Sequence, residues 1–95
     1  MAQHKEGKVE NYFKAQVKAA GGLSRKARWL CRRGCPDQFW AFAGKRNGLA
    51  EIKPPGVPLK AHQAREIKRL HDAGVTVYVL DSEEAVDLFI KRETT

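Results

Sequence analysis

The chain has 95 residues, 42% of them hydrophobic and 31% charged, and a formal net charge of +7. That length holds one domain with a genuine core, so residues 1–95 read as a single unit, for which a homodimer is a natural way to widen the working surface. No apolar run approaches the roughly 20 residues of a spanning helix, and the polar start Met1-Ala2-Gln3-His4-Lys5-Glu6 lacks a signal-peptide core, so no membrane role is expected and the cytoplasm is the default compartment.

Two cysteines, Cys31 and Cys35, suit that compartment as reduced thiols. A zinc site combining them with His62 and His71 lacks a recognised ligand spacing. Residues 1–48 carry eleven Lys and Arg against three Asp and Glu, whereas residues 49–95 carry seven against eight, so the positive surface belongs to the first half. Such an excess implies an anionic partner.

In chain order, residues 8–20 read as a helix with Val9, Phe13, Val17 and Ala20 on one stripe and Gly21-Gly22 as its end. Glu10 lies on the flank of the stripe, and from spacing alone it is an ordinary first-turn glutamate favoured by the helix dipole. Residues 23–30 contain a first strand with a poor pattern. The dense cations Arg25, Lys26, Arg28, Arg32 and Arg33 run through and beyond it toward Asp37, placed to meet nucleic-acid phosphates. Gly34 and Pro36 then break the chain.

Residues 39–43 and 49–53 read as two strands of a hairpin turned over residues 44–48, with Asn47-Gly48 as the turn signal. Asp37 precedes the first of these strands and Lys53 ends the second, so both belong at the open end of the hairpin. Glu51 and Lys53, two apart, project from one face. An acid followed fourteen residues later by acid-x-Lys is what metal-assisted phosphodiester cleavage needs: carboxylates hold divalent cations while the lysine faces developing negative charge. Neither a histidine nor a serine nucleophile is required, and His62 reads as an exposed helix-start residue without a catalytic task.

A stiff Pro/Gly loop at 54–58 leads to a helix at 61–73, with Ala64, Ile67 and Leu70 inward, Gly74 as the stop and Gln63 in the first turn. Residues 75–80 form the clearest strand, apolar enough to be central in the sheet. Ser82 caps a last helix whose Val86, Phe89 and Ile90 face inward. The expected architecture is α/β, in the order α-β-β-β-α-β-α, with a sheet flanked by helices.

Gly34-x-Pro36-Asp37, Glu51-Ile52-Lys53, the Pro/Gly loop and Gln63, preceded by Val9-Glu10-Asn11-Tyr12 and Gly21-Gly22, together resemble the VRR-NUC (virus-type replication-repair nuclease) family over nearly the whole chain. That family belongs to the PD-(D/E)xK nuclease superfamily, and its compact stand-alone members are mostly encoded by phages and prophages. The resemblance implies a restriction-endonuclease-like core with a mixed sheet. It implies that Asp37 and Glu51 bind Mg²⁺ or Mn²⁺ with the backbone carbonyl of Ile52, and that Glu10 contributes from the first helix. Lys53 would stabilise the attacking hydroxide and the transition-state charge, and Gln63 would orient that group or touch DNA. No organic cofactor is implied. By the same analogy the protein is a DNA endonuclease of a phage or prophage, working as a homodimer on branched or Holliday-junction-like DNA inside the bacterial cell. Two positions depart from the family pattern: Gln38 stands where Arg is common after the aspartate, and Lys60 where Ser often precedes the Gln-bearing helix.

The competing reading is a basic DNA- or RNA-binding module without catalysis, in which Asp37, Glu51 and Lys53 form a structural ion pair. It accounts for the charge and not for the spacing, because carboxylates beside a cationic surface repel the nucleic-acid backbone unless metals neutralise them. An assembly accessory recognised through its acidic C-terminal half has no positive feature in its favour.

Overall fold

A computed structural model describes residues 5–29 and 33–95. The elements run α1 (Lys5–Ala19), β1 (Gly22–Lys26), β2 (Gln38–Phe42), β3 (Asn47–Ile52), α2 (Ala61–Asp72), β4 (Val77–Leu80) and α3 (Glu83–Thr94), the order that the hydrophobic patterns predict. The four strands form one mixed sheet in the order β1-β2-β3-β4. β1, β2 and β3 are antiparallel neighbours, and β4 joins β3 in parallel because α2 carries the chain back across the sheet between them.

Strand alternation sorts the core into two layers. Trp40, Phe42, Ala50, Ile52 and Leu80 point to one face and pack under α1 (Val9, Phe13, Val17) and α3 (Val86, Phe89). Leu49, Val77 and Phe39 point to the other and meet Ile67 and Leu70 of α2. The first layer is the heavier. Phe89 is its hub, with its ring centroid 4.8 Å from Tyr78, 5.0 Å from Trp40 and 5.6 Å from Phe13. Burying a side chain of this kind contributes about 1.5–3 kcal/mol, so a few aromatics supply much of what holds the helices to the sheet.

Several expectations are corrected by the structure. Asn47-Gly48 is not the hairpin turn: both residues lie in β3, and the chain reverses at residues 43–46, where Gly44 has a φ of 71°. Gly48 is required for another reason. A Cβ there would sit 2.8 Å from the Trp40 ring and closer still to the Thr76 carbonyl oxygen, which accepts the Leu49 N–H at 2.9 Å. β4 is an edge strand, not a central one. Its apolar residues reflect cover from α3 on one face and α2 on the other, and Val79 remains 42% exposed. Ala64 is exposed rather than inward, and Glu66 is buried on α2, its carboxylate accepting from Arg69 at 2.9 Å. The strand expected within residues 23–30 is β1, which occupies Gly22–Lys26. Leu30, Cys31 and Arg32 lie outside the described residues. Among the described residues no helix is long and apolar enough to cross a membrane.

The far end of the hairpin is clamped to α3. Arg46, the last residue of the turn, donates from Nε to Glu93 Oε1 at 3.1 Å and from Nη2 to Glu93 Oε2 at 2.6 Å, and the Tyr78 hydroxyl donates to Glu93 Oε2 at 2.6 Å. Burial pushes the Glu93 carboxyl up, but the bonds from Arg46 and Tyr78 outweigh it and hold the group below its ordinary value.

Candidate active site

The opposite end of the sheet gathers the polar residues. Asp37 immediately precedes β2, and its carbonyl accepts the Ala27 N–H at 2.8 Å, which extends the β1–β2 ladder by one step. The β2–β3 register runs Gln38 against Ala50, so one further step sets Asp37 across from Glu51. Cross-strand partners share a face. Glu51 therefore lies on the α2 face, two residues after Leu49, and Lys53 follows on the same side. The Lys53 N–H donates to the Leu80 carbonyl at 2.9 Å, so its backbone is held past the end of β3. Glu51 and Lys53 are 9% and 8% exposed, an unusual depth for two ionisable residues.

Gln63 stands between them. Its Oε1 accepts the Lys60 N–H at 2.9 Å, a cap on the first turn of α2, and faces Lys53 Nζ at 3.4 Å. Its Nε2 faces Glu51 Oε2 at 3.4 Å. The amide dipole is thus oriented by the helix start, oxygen toward the ammonium and nitrogen toward the carboxylate. Both contacts to charged groups are long, since strong hydrogen bonds of this type lie near 2.8 Å, so these groups are close enough to be coupled without being saturated by one another.

Glu10 approaches from the other face of the sheet. Its Oε2 is 3.1 Å from Lys14 Nζ and 3.6 Å from Lys26 Nζ, and the same Lys26 ammonium is 3.9 Å from Asp37 Oδ2. Glu10 and Asp37 therefore share one cation, which sits where two carboxylates converge. The Ile52 side chain is 2% exposed and belongs to the α1–α3 core, so its carbonyl is what it can offer a ligand. Among the described residues no three His, Cys, Asp or Glu side chains form a ready-made metal cage. The donor set that remains, two facing carboxylates with a third nearby and a backbone carbonyl, consists of hard oxygens. It fits Mg²⁺ or Mn²⁺, which take one or two carboxylates and keep several waters.

The basic run does not form one surface. Arg25 lies across from Phe39 on the α2 face, whereas Lys26 lies across from Gln38 on the α1 face and is engaged by Glu10 and Asp37. Arg28 is exposed beside Asp37, and Arg33 neighbours His62; Arg32 lies outside the described residues.

His62, expected to be an idle helix-start residue, packs on the motif loop. A Cβ on Gly34 would be 2.7 Å from the His62 ring and 3.0 Å from its carbonyl oxygen, and Gly34 has a φ of 82°. Glycine is needed there twice over, for the left-handed backbone and for the close approach that seats the turn before Asp37 on α2. Burial, then the charges of Arg33, Lys60, Arg65 and Lys53, pull the His62 imidazole below its usual 6.5. These cations and the positive end of α2 make one lobe suited to an anion. His71 is engaged elsewhere, its Nε2 being 3.2 Å from the Val77 carbonyl, so it does not join His62 in a zinc site.

Sequence reasoning missed two further residues. Gln38 is fully buried, and among the described residues neither of its side-chain polar atoms has a hydrogen-bond partner; glutamine after the aspartate was the one signal that marked it. Trp29 fixes its indole by donating Nε1–H to the Pro36 carbonyl at 2.7 Å and stays 42% exposed beside Asp37.

No protein-family model matches the chain. A curated relative named "Putative nuclease p44", from Acyrthosiphon pisum secondary endosymbiont phage 1, is 34% identical over 80 residues, covering 84% of this chain and 86% of its own. A solved structure described as "VRR_NUC domain" superposes with a TM-score of 0.86 at 33% identity, covering 94% of this chain and 97% of that one. The sheet and helices of the chain are the restriction-endonuclease-like core expected from the sequence. The chain belongs to the VRR-NUC family.

Proposed function

We propose that this protein is a metal-dependent endonuclease that hydrolyses DNA phosphodiester bonds, with branched or junction DNA as its favoured substrate and a homodimer as its working form. The observation that carries the reading is the Gln63 amide set between Glu51 and Lys53 at the strand ends where Asp37 enters. A pure binding module has no use for a lysine and a glutamate held 8–9% exposed and kept apart by an oriented dipole.

Asp37 and Glu51 would hold Mg²⁺ or Mn²⁺, with the Ile52 carbonyl and Glu10 in support. A divalent ion held there would supply a water of lowered pKa and would offset charge at the phosphate. Lys53 donates to the attacking oxygen and to the oxygens that gain charge as phosphorus becomes five-coordinate. The hydroxide oxygen bonds to phosphorus, the bond to the departing sugar oxygen breaks, and that oxygen takes a proton from water. Gln63 keeps Lys53 from collapsing onto Glu51 and aims its ammonium. Glu10 and Lys26 set the local charge, because Lys26 can stay with Glu10 when Asp37 turns to a stronger cation.

The test is cleavage of labelled duplex, single-stranded and four-way-junction DNA in Mg²⁺, Mn²⁺ or EDTA. Metal-dependent product that disappears in Asp37→Asn, Glu51→Gln and Lys53→Ala supports the reading. Cleavage surviving all three places the site elsewhere, and binding without product favours the basic module, in which the cations of residues 1–48 would meet phosphates. Sedimentation with and without junction DNA tests the dimer.

A further inference from the structure

We propose that the outer side of β1 is a track for one unpaired nucleic-acid strand, and that Trp29 is the platform on which a base of that strand stacks next to the scissile site. The proposal rests on the nuclease reading for the position of the cut, but the binding it describes does not depend on catalysis.

Among the described residues β1 is an edge strand, paired with β2. Beside it, the second half of α1 forms a groove of about 500 Å³ between Lys14 and Lys18 on the helix and residues 22–26 on the strand. At Lys26 this groove meets a second recess of about 380 Å³, lined by Lys26, Ala27, Arg28, Trp29 and Asp37. The two share a wall and lead directly to the candidate catalytic aspartate. Their lining carries Lys14, Lys18, Arg25, Lys26 and Arg28 against one acid, Asp37. Glu10 tempers Lys14 and Lys26, so the positive charge of the track is carried chiefly by Lys18 at its far end and by Arg28 beside Trp29 and Asp37.

Trp29 converts that cationic track into one for bases. A tryptophan 42% exposed would normally be free to rotate, but the bond from its Nε1 to the Pro36 carbonyl holds the ring. A fixed, half-open aromatic face between an arginine and an aspartate has the composition of a single-strand site: cations follow the backbone while the ring takes a base, at no cost in sequence preference. Stacking of this kind needs an exposed base face, which a paired base inside a duplex does not offer. The charge balance argues against an ordinary protein surface as the occupant, and a second copy of this chain, itself at +7, would be repelled by the track.

The experiment is binding in EDTA to a blunt duplex, to the same duplex with a single-stranded thymidine arm, and to the arm alone. It is followed by tryptophan fluorescence, because Trp40 is fully buried and Trp29 is therefore the ring that bases can quench. We expect tighter binding and quenching with the arm. Trp29→Ala should lower affinity for the armed duplex roughly tenfold, the scale of one stacked base, and change blunt-duplex affinity less than twofold; Trp29→Phe should recover most of the loss. Arg28→Ala supplies an independent reading should Trp29→Ala fail to fold, and should weaken arm binding and reduce its salt slope by about one. Equal affinity of the wild-type protein for blunt and armed duplex overturns the proposal. So does an equal loss on both substrates in Trp29→Ala, or loss of self-association in that variant with arm binding intact, which would assign the ring to a contact between copies. The nuclease reading fails separately, if the wild-type protein cuts none of these substrates in Mg²⁺ or Mn²⁺.

Discussion

The two ends of the sheet are built to opposite specifications. At the hairpin tip, Glu93 is 4% exposed and receives three hydrogen bonds of 2.6, 2.6 and 3.1 Å from Arg46 and Tyr78, next to a core organised on Phe89. At the strand ends, which are equally crowded with charge, Gln63 stands 3.4 Å from both Lys53 Nζ and Glu51 Oε2, and Lys26 Nζ stands 3.9 Å from Asp37 Oδ2. Short bonds saturate their partners and lock α3 to the hairpin. The longer ones bind these side chains to one another less tightly, while the backbone bonds of Ala27 and Lys53 keep the groups in place. Charge alone therefore does not separate the structural cluster from the candidate site; the tightness of the side-chain contacts within each does.

The largest effect that sharpens this contrast is catalytic. Lys53→Ala should lower metal-dependent cleavage about 10²–10³-fold, the usual loss for one transition-state donor, with a melting temperature unchanged or raised, because removing it relieves a buried ammonium. A large fall in melting temperature would make Lys53 a structural residue like Glu93 and erase the distinction. Next, Gly48→Ala should destabilise the tip half of the sheet by roughly 3 kcal/mol through overlap with Thr76 and Trp40, measured by chemical denaturation, and should leave the cleavage chemistry of the folded fraction intact.

Glu93→Gln should cost about 2 kcal/mol by weakening bonds to a buried acceptor. It should also flatten the acid limb of the stability curve. The folded-state value of Glu93 lies below its ordinary 4.5, so the unfolded chain takes up the proton first as pH falls. The wild-type contribution is complete above about pH 4.5 and is lost as the pH drops through the lower folded value. Melting temperatures from pH 6 to 3 for the two proteins read this directly, and parallel curves would show that the clamp carries no charge-dependent stability. The smallest effect is at His62. Its folded value lies below 6.5, so stability holds above that pH and declines as acid passes through the folded value. His62→Asn should remove that part of the slope between pH 7 and 5.

Much of both ends was legible in the residues. The stripes of Val9, Phe13 and Val17 and of Val86 and Phe89 are helix patterns and are buried where they predict, whereas Ala20, expected on the first stripe, lies exposed just past the end of α1. Asp37 and Lys53 stand at the hairpin's open end because strand breakers bracket them, Pro36 before one and Pro54 after the other. The clamp was not legible, since Arg46, Tyr78 and Glu93 are spread over three elements with no local spacing to relate them. Asn47-Gly48 misled because a turn dipeptide and a glycine demanded by a passing backbone look the same in one dimension. The apolar run ending at Leu80 misled because cover on both faces raises hydrophobicity at an edge as well as at the centre.

By itself the sequence determined which elements form and which end of the hairpin collects the acids and the lysine, because helix and strand periods and chain breakers act over a few residues. The tertiary structure alone decided that Gln63 separates Glu51 from Lys53, that Glu10 and Asp37 share Lys26, and that Gly34 seats on His62. Those relations depend on sheet register and on where α1 and α2 dock, and docking is chosen by the whole core at once.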